Sequence, residues 1–291
     1  MAQKSYRSEL VGLLGCPVDE NPTVVTIEAA FRALGIDGRY ITMQVTPENL
    51  GDAIRGLKAA SFLGTHITIP HKVSVLSYLD CISDNAKVIG AVNTVYFKDG
   101  RAYGENTDGK GFIMSLDEGG IALKGKKAVL LGAGGAARAI AVELANSGVS
   151  EITVVNRSEE RGLELTALIN EKTGARAAFA PLVSGYSVPA DADLLVQTTS
   201  IGLYPDPACP DINYDSLRPE LVVCDIIPNP PETRFLRLAK ERGCKTFAGF
   251  DMLINQGAFS FKCWTGQDAP ISAMKQALAA EFEGQAAPEA D

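Results

Sequence analysis

The chain has 291 residues, of which 46% are hydrophobic and 21% charged, as in an ordinary globular protein. This length accommodates two domains with separate cores, and the composition excludes disordered and fibrous classes. With 27 basic and 35 acidic residues, the net charge of −8 provides no overall attraction to nucleic acid or an anionic membrane. The six cysteines lack paired spacing and histidine companions, so neither a metal site nor a disulfide framework is predicted. No segment is typical of a secretory signal or a membrane span, which predicts a cytoplasmic location.

Strand and helix patterns alternate through the first hundred residues. The apolar spacing predicts strands at Glu9–Gly15, Tyr40–Val45 and Thr65–Ile69. Helices are predicted between them, at Pro22–Leu34 and Pro47–Ala60, each beginning at a proline that follows a polar residue. This order is typical of an α/β domain, and it contains no phosphate-binding loop.

A second α/β unit is predicted after the first hundred residues. Its strands alternate with helices, as a doubly wound parallel sheet requires, and they lie near Ala128, Ile152, Leu194 and Val222. Two late helices, Met252–Trp264 and Ile271–Phe282, are expected to pack back on the first domain. We therefore predict an α/β protein of two domains, with residues 1–109 and 246–291 in the first domain and residues 110–245 in the second.

A glycine-rich turn follows the apolar run Lys127–Leu131 and precedes an alanine-rich helix. Glycine lets the backbone come close to a pyrophosphate, which the unpaired N–H groups at the start of a helix attract. Such a turn also closes ordinary strand-to-helix connections, but the next apolar run, Glu151–Val155, completes a βαβ unit and favours a bound dinucleotide. The predicted contacts are Gly132, Ala133, Gly134, Gly135 and Ala136.

The residues after the second strand of that unit select the nucleotide. A carboxylate is usual there for the ribose 2′-hydroxyl of NAD, whereas this chain has Asn156, Arg157 and Ser158, with Arg161 further on. The guanidinium of Arg157 offers a fixed fork of donors suited to a 2′-phosphate. NADP is therefore the predicted cofactor.

Lys72, Asn93 and Asp108 are further candidates for chemistry. Lys72 follows a predicted strand and Pro70, while Asn93 and Asp108 lie in polar, glycine-flanked turns. Each also has an ordinary structural explanation, as a solvated lysine or as a residue that caps a turn. Their segments read GTHITIPHK at 64–72, IGAVNTV at 89–95 and YGENTDG at 103–109.

These three segments, in this order, resemble the shikimate dehydrogenase family. The resemblance extends over nearly the whole chain, and it includes residues 132–138, 156–158, 225–230, 249–257 and 264–266. It implies a substrate domain, a Rossmann-type NADP-binding domain and an oxidoreductase that acts on a CH–OH group. The implied reaction is the reversible reduction of 3-dehydroshikimate to shikimate with NADPH, in the shikimate pathway of aromatic amino acid biosynthesis.

The resemblance implies that Lys72 and Asp108 form the acid–base pair. As hydride reaches the carbonyl carbon, a positioned acid must supply a proton to the oxygen, and a lysine ammonium can supply it. The family pattern also assigns substrate contacts to Thr68, Asn93 and Gln256. It places Thr198, Thr199, Ser200 and Met252 near the nicotinamide.

The chain departs from the family pattern where the substrate carboxylate is expected. A Ser-x-Ser pair after a histidine is usual there, whereas this chain has Asn21 and Thr23, which can still donate hydrogen bonds. His66 replaces an asparagine and alternates with Thr68 on one strand face, which indicates a substrate contact, and Pro228 replaces a tyrosine. Asn21 also fits a helix cap, and His66 also fits a packed core residue.

The altered residues at the expected carboxylate site are compatible with other functions. They are quinate or aminoshikimate dehydrogenation, non-catalytic binding of a cyclic acid by a regulatory paralogue, and action of a Rossmann dehydrogenase on a different small carbonyl. We expect a small-molecule substrate, no nucleic-acid or membrane partner, and a monomer or homodimer.

Overall fold

A computed structural model describes residues 6–283 of the chain. Within that range the strands are β1 (Glu9–Gly15), β2 (Gly38–Gln44), β3 (Gly64–Ile67), β4 (Cys81–Ile82), β5 (Thr94–Lys98), β6 (Arg101–Glu105), β7 (Lys127–Leu131), β8 (Glu151–Asn156), β9 (Arg176–Pro181), β10 (Leu194–Gln197), β11 (Val222–Asp225) and β12 (Lys245–Phe247). The α-helices are α1 (Thr23–Ala33), α2 (Leu50–Ala59), α3 (His71–Ser74), α4 (Asp84–Ile89), α5 (Asp108–Glu118), α6 (Gly135–Asn146), α7 (Glu159–Lys172), α8 (Arg234–Glu241), α9 (Gly249–Thr265) and α10 (Ile271–Glu283).

The chain divides into two compact units. Of the described residues, unit 1 contains 6–107 and 257–281, and unit 2 contains 108–256 and 282–283. The predicted domain boundaries stay a prediction, and their ends at residues 1–5 and 284–291 lie outside the described residues. Among residues 6–283, no helix combines the length and the apolar character needed to cross a lipid bilayer.

Unit 1 contains a mixed six-stranded sheet in the order β2-β1-β3-β5-β6-β4. Strand β1 pairs in parallel with both β2 and β3, whereas β5 runs antiparallel to β3 and β6. Asp99 and Gly100 connect β5 to β6, and both have positive φ, at 49° and 73°. This Asp-Gly pair fits the tight turn that twisted hairpins prefer.

Helices cover the sheet of unit 1. Leu50, Ile54 and Leu57 recur at helical spacing on α2 and join a buried cluster with Ile67 of β3 and Val95 of β5. The end of α9 belongs to the same unit, where Phe261 packs on Phe31 of α1 with ring centroids 5.2 Å apart. Residues of both late helices therefore pack in the first unit, as the sequence predicts.

Unit 2 contains a parallel six-stranded sheet in the order β12-β11-β10-β7-β8-β9. Successive residues of β7 enter two different cores, since Ala128 and Leu130 pack in one cluster and Val129 and Leu131 in the other. A parallel sheet with this strand order and with both faces buried is the doubly wound dinucleotide-binding arrangement. The predicted fold class is confirmed.

Helix α5 packs closely on two neighbours within unit 2. A Cβ at Gly109 would lie 2.4 Å from the carbonyl oxygen of Ala139 in α6, and one at Gly111 would lie 2.5 Å from the amide nitrogen of Gln256 in α9. Both positions therefore require glycine, and both fix the start of α5, where Asp108 is the first residue.

Candidate active site

Most of the predicted catalytic and substrate residues of unit 1 lie at one edge of its sheet. The carboxyl ends of β1 and β3 meet there because these strands are parallel neighbours. Strand β5 runs the other way, so its first residue, Thr94, pairs with His66 at the same edge. At this edge Asn21, Thr68 and Asn93 lie in loops, Thr23 is the first residue of α1, and Lys72 lies in α3.

Lys72 lies in the short helix α3, and its side chain is half-buried. The amide of Val92 donates to the carbonyl oxygen of Lys72 over 2.8 Å, and the amide of Cys16 donates to Ile69 over 2.9 Å. The fully buried His71 donates through Nε2 to the carbonyl oxygen of Val45 over 2.6 Å. These bonds tie the backbone beside Lys72 to the loops after β1 and β2 and to the segment before β5.

The loop after β1 differs chemically from the family pattern. The Asn21 side-chain oxygen accepts from the amide of Thr23 over 3.0 Å, which supports the helix-cap interpretation of Asn21. Thr23 is buried, whereas the carboxylates of Asp19 and Glu20 are exposed beside it. The predicted substrate contacts of Asn21 and Thr23 stay predictions.

Thr68 lies close to the end of β1. A Cβ at Gly15 would be 2.3 Å from the Thr68 methyl carbon and 2.9 Å from Val18, so only glycine fits between them. The amide of Thr68 donates to Leu14 over 2.9 Å, which holds this residue at the sheet edge. Thr68 itself is half-buried.

His66 lies inside unit 1 among aromatic residues. Its Nδ1 is 2.9 Å from the Tyr40 hydroxyl, and its ring meets the Trp264 ring edge-on with centroids 4.6 Å apart. Trp264 donates through Nε1 to the carbonyl oxygen of Val95 over 2.9 Å. Burial raises the pKa of Tyr40 well above its ordinary value, so this phenol stays neutral. These contacts favour the packed-core interpretation, and a substrate contact of His66 stays a prediction.

Asn93 is held by the segment that precedes Asp108. Its Nδ2 donates to Thr107 Oγ1 over 2.9 Å, and its Oδ1 accepts from the amide of Thr107 over 2.8 Å. Asp108 follows directly and is 8% exposed, as the first residue of α5 rather than a turn residue. Thr107, which bonds to the Asn93 side chain, is therefore the residue directly before α5.

The glycine turn of unit 2 lies at the carboxyl edge of its sheet, beside the ends of β8 and β10. Gly132 has a φ of +113°, and a Cβ there would lie 2.7 Å from Thr198 Oγ1. Gly134 and Gly135 begin α6, and added Cβ atoms at these positions would meet no atom within 4 Å. The start of α6 is therefore open, which fits a pyrophosphate on its N–H groups.

The segment after β8 presents basic side chains. Ser158 Oγ accepts from the amide of Arg161 and caps α7, while Asn156 Nδ2 donates to the carbonyl oxygen of Ser158 over 2.9 Å. Arg157 and Arg161 are exposed, and within the described part of the chain neither guanidinium has a carboxylate partner. This donor set fits a phosphate.

The other predicted residues of unit 2 differ in burial and in hydrogen-bond partners. Thr198 is buried and donates to the carbonyl oxygen of Leu131 over 2.7 Å, Thr199 is half-buried and Ser200 is exposed. Met252 packs in a core cluster, and Gln256 Nε2 donates to the carbonyl oxygen of Leu253 over 3.0 Å. Their ligand contacts stay predictions.

Asp225 is a buried carboxyl at the end of β11 that the sequence did not single out as functional. It accepts from Thr233 Oγ1 over 2.7 Å and from the amide of Ile227 over 3.1 Å. Burial raises its pKa to about 6 despite these bonds. Among residues 6–283, no cluster of three or more histidine, cysteine or acidic side chains could hold a metal ion.

Three family models match successive parts of the chain. They are the shikimate dehydrogenase substrate binding domain at residues 13–95, shikimate / quinate 5-dehydrogenase at residues 116–202, and the shikimate 5′-dehydrogenase C-terminal domain at residues 249–279. A shikimate dehydrogenase (NADP(+)) from Moorella thermoacetica is 41% identical over 280 residues, which are 96% of this chain and 95% of the relative. The chain belongs to the shikimate dehydrogenase family.

Solved structures superpose on most of the chain. The ligand-free 5-ketofructose reductase of Gluconobacter sp. strain CHM43 is 45% identical, with a TM-score of 0.92 over 96% of this chain and 100% of that one. Shikimate 5-dehydrogenase from Thermus thermophilus, in complex with NADP(H) and shikimate, is 36% identical, with a TM-score of 0.82 over 94% of this chain and 99% of that one. The names of these two similar structures therefore give different substrates.

Proposed function

We propose that this protein catalyses the reversible, NADP-dependent reduction of 3-dehydroshikimate to shikimate. The observation that carries the proposal is the shared sheet edge of unit 1, where Thr68 and Lys72 follow β3 and Asn93 precedes the neighbouring strand β5. The 41% identity to an NADP(+)-dependent shikimate dehydrogenase supports the same reaction. The reaction places the protein in aromatic amino acid biosynthesis.

Lys72 and Asp108 are the proposed acid–base pair. The Lys72 ammonium donates a proton to the substrate oxygen as negative charge develops there, and Asp108 orients the ammonium. Asn93 and Gln256 bind the ring hydroxyls, and Thr68 supplies a further hydroxyl contact. Thr23, Asn21 and His66 are proposed for the remaining substrate contacts at the carboxylate end.

Unit 2 is the proposed NADP-binding domain. The open start of α6 receives the pyrophosphate, contacted by Gly132, Ala133, Gly134, Gly135 and Ala136, and the exposed Arg157 and Arg161 receive the 2′-phosphate. Asn156 and Ser158 complete the adenosine side, and Thr198, Thr199, Ser200 and Met252 are proposed for the nicotinamide side. NADPH, when bound, supplies the hydride.

Reduction of a neutral keto sugar is the second candidate function. The Asn21 side-chain oxygen already accepts from Thr23, and the exposed carboxylates of Asp19 and Glu20 oppose a substrate anion at this loop. 5-Ketofructose has no carboxylate, and the 5-ketofructose reductase structure is 45% identical to this chain. The same Lys72 proton donation serves either carbonyl.

A panel of initial rates distinguishes these functions. 3-Dehydroshikimate and 5-ketofructose are each offered with NADPH and with NADH, and shikimate and quinate with the oxidised forms. Fastest turnover of 3-dehydroshikimate and shikimate with the NADP cofactors supports shikimate dehydrogenation. Fastest reduction of 5-ketofructose supports the reduction of a keto sugar. Thermal stabilisation by shikimate without turnover of any compound would favour a non-catalytic paralogue.

The proposed partners are small molecules alone, with the chain acting as a monomer or homodimer in the cytoplasm. The net charge of −8 supports the absence of a nucleic-acid partner. Size-exclusion chromatography with light scattering measures the oligomeric state.

A further inference from the structure

Four buried polar side chains form a cluster in unit 1 behind the proposed substrate contacts. Asn93 and Thr94 lie at the start of β5, Thr107 follows β6, and Ser260 lies in α9. None of the four is more than 3% exposed. We call this group the hydroxyl–amide cluster. A protein interior accepts such a group only where its members hydrogen-bond to one another or to the backbone.

Backbone geometry fixes the direction of the Asn93 amide. The N–H of Thr107 is an obligatory donor, so the Asn93 atom 2.8 Å from it must be the carbonyl oxygen Oδ1. The amide nitrogen Nδ2 then lies 2.9 Å from Thr107 Oγ1, to which it donates. Thr107 Oγ1 must therefore turn a lone pair toward Asn93.

The remaining two hydroxyls of the cluster lie within hydrogen-bond distance of the Thr107 hydroxyl. Thr94 Oγ1 lies 2.7 Å from Ser260 Oγ, and Thr107 Oγ1 lies 3.2 Å from both of these oxygens. Thr94 Oγ1 also lies 3.1 Å from Asn93 Oδ1. The Thr107 hydroxyl therefore has three acceptors at 3.2 Å, which are Asn93 Oδ1 and the hydroxyl oxygens of Thr94 and Ser260. Thr94 and Ser260 supply the two acceptors that lie outside Asn93.

We propose that Thr94 and Ser260 are positioning residues for substrate binding, although they do not touch the substrate. The Thr107 N–H decides which end of the Asn93 amide faces it. Thr94 and Ser260 hold the Thr107 hydroxyl that accepts from Asn93 Nδ2, and so restrict the amide to the position that binds a substrate hydroxyl. The inference rests on the proposed function, because Asn93 is a substrate contact only there. It goes further by assigning substrate affinity to two residues that no sequence pattern singles out.

The test compares variants that differ by one hydroxyl. Thr94→Val keeps the shape of threonine and removes the hydroxyl, whereas Thr94→Ser keeps the hydroxyl. Ser260→Ala removes the partner hydroxyl from α9. Thr65→Val is the matched control, because Thr65 is a fully buried threonine of the same sheet whose hydroxyl donates to the backbone oxygen of His66 over 3.0 Å. Asn93→Ala serves as the reference for loss of the contact itself.

Thr94→Val and Ser260→Ala should each raise the KM for the carbonyl substrate about tenfold, which is the loss of roughly one hydrogen bond, with the KM for NADPH unchanged. Thr94→Ser should restore the original KM. Thr65→Val should lower the melting temperature and leave both KM values unchanged. An equal rise in both KM values, no rescue by serine, or the same effect in Thr65→Val would overturn the inference.

The reference variant Asn93→Ala distinguishes a failure of the positioning role from a failure of the proposed function. If Asn93→Ala raises the substrate KM and Thr94→Val does not, the proposed function stands and the positioning role is wrong. If Asn93→Ala changes nothing, the Asn93 contact is wrong and the inference fails with it. If the unsubstituted protein reduces neither carbonyl compound, the proposed function fails and so does the inference.

Discussion

The turn after β7 and the loop after β1 occupy equivalent places in their sheets, yet they follow different rules. Both leave the carboxyl end of a parallel strand and lead into a helix. The turn after β7 offers backbone N–H groups, and its requirement is steric, since Gly132 has a φ of +113°. The loop after β1 offers side chains such as Asn21 and Thr23. Side chains change identity without changing the fold, so specificity can diverge at this loop while nucleotide binding persists.

The largest expected effect comes from Lys72→Ala. If Lys72 of unit 1 donates the proton and unit 2 binds the nucleotide, kcat should fall by about a thousandfold while the dissociation constant for NADPH stays unchanged. Steady-state rates and nucleotide titrations measure the two quantities. Lys87→Ala is the control, because Lys87 is an exposed lysine of unit 1 paired with Asp84. Full turnover by Lys72→Ala would show that Lys72 does not donate the proton.

Arg157→Ala tests the other side of the comparison. Loss of a charged fork should raise the KM for NADPH about a hundredfold, since charge-assisted hydrogen bonds contribute about 3 kcal/mol, and should leave the KM for NADH nearly constant. Arg176→Ala is the control, because Arg176 is an exposed arginine of the same unit paired with Glu151. An unchanged ratio of the two KM values would exclude Arg157 as the phosphate ligand.

The buried carboxyl of Asp225 predicts a pH-dependent stability in unit 2. Its pKa is raised from 3.8 to about 6 by burial, so the folded state holds the proton more tightly than the unfolded state. The stabilisation is complete below about pH 4 and is lost as the pH rises through 6. Relative to Asp225→Asn, the free energy of unfolding should therefore fall by about 2 kcal/mol between pH 4 and pH 7.

Urea titrations of Asp225→Asn and the unsubstituted protein, followed by circular dichroism at several pH values, measure this difference. Asp211→Asn is a suitable control, because Asp211 is an exposed aspartate of the same unit. Parallel pH profiles for Asp225→Asn and the unsubstituted protein would contradict the raised pKa.

The smallest expected effect concerns the loop after β1. The double change Asn21→Ser and Thr23→Ser restores the pair that the family pattern uses for a carboxylate. It should raise kcat/KM for 3-dehydroshikimate about tenfold relative to 5-ketofructose, and leave the KM for NADPH unchanged. Asn49→Ser, at the start of α2, is the control. A constant substrate ratio would show that this loop does not decide specificity.

The sequence predicts the elements that carry strong periodic patterns. The bounds of β1 are predicted at Glu9–Gly15 and observed there, and α1 and α10 lie within one residue of their predicted ends. The hairpin of β5 and β6 is not predicted, although Asp99–Gly100 is a signal for one. Strands β4 and β12 contain only two and three residues, too few for a periodic pattern.

Some residues of the candidate site are likewise predictable from the sequence, and others are not. Glycine positions such as Gly132 are visible in the sequence because a steric requirement acts on a single residue. The role of Ser260 depends on its distance to Thr94 and Thr107, which are more than 150 residues away in the chain. The raised pKa of Asp225 depends on burial by the whole second unit. Neither property has a local sequence signal.

The packing of Trp264 has a spectroscopic consequence. It is the only tryptophan in the chain, and it lies in unit 1 against the His66 ring with its indole N–H bonded to Val95. Its fluorescence emission therefore reports the surroundings of one unit, without a label. An emission change on adding a carbonyl compound would report an event in the unit that contains Lys72, even in the absence of turnover.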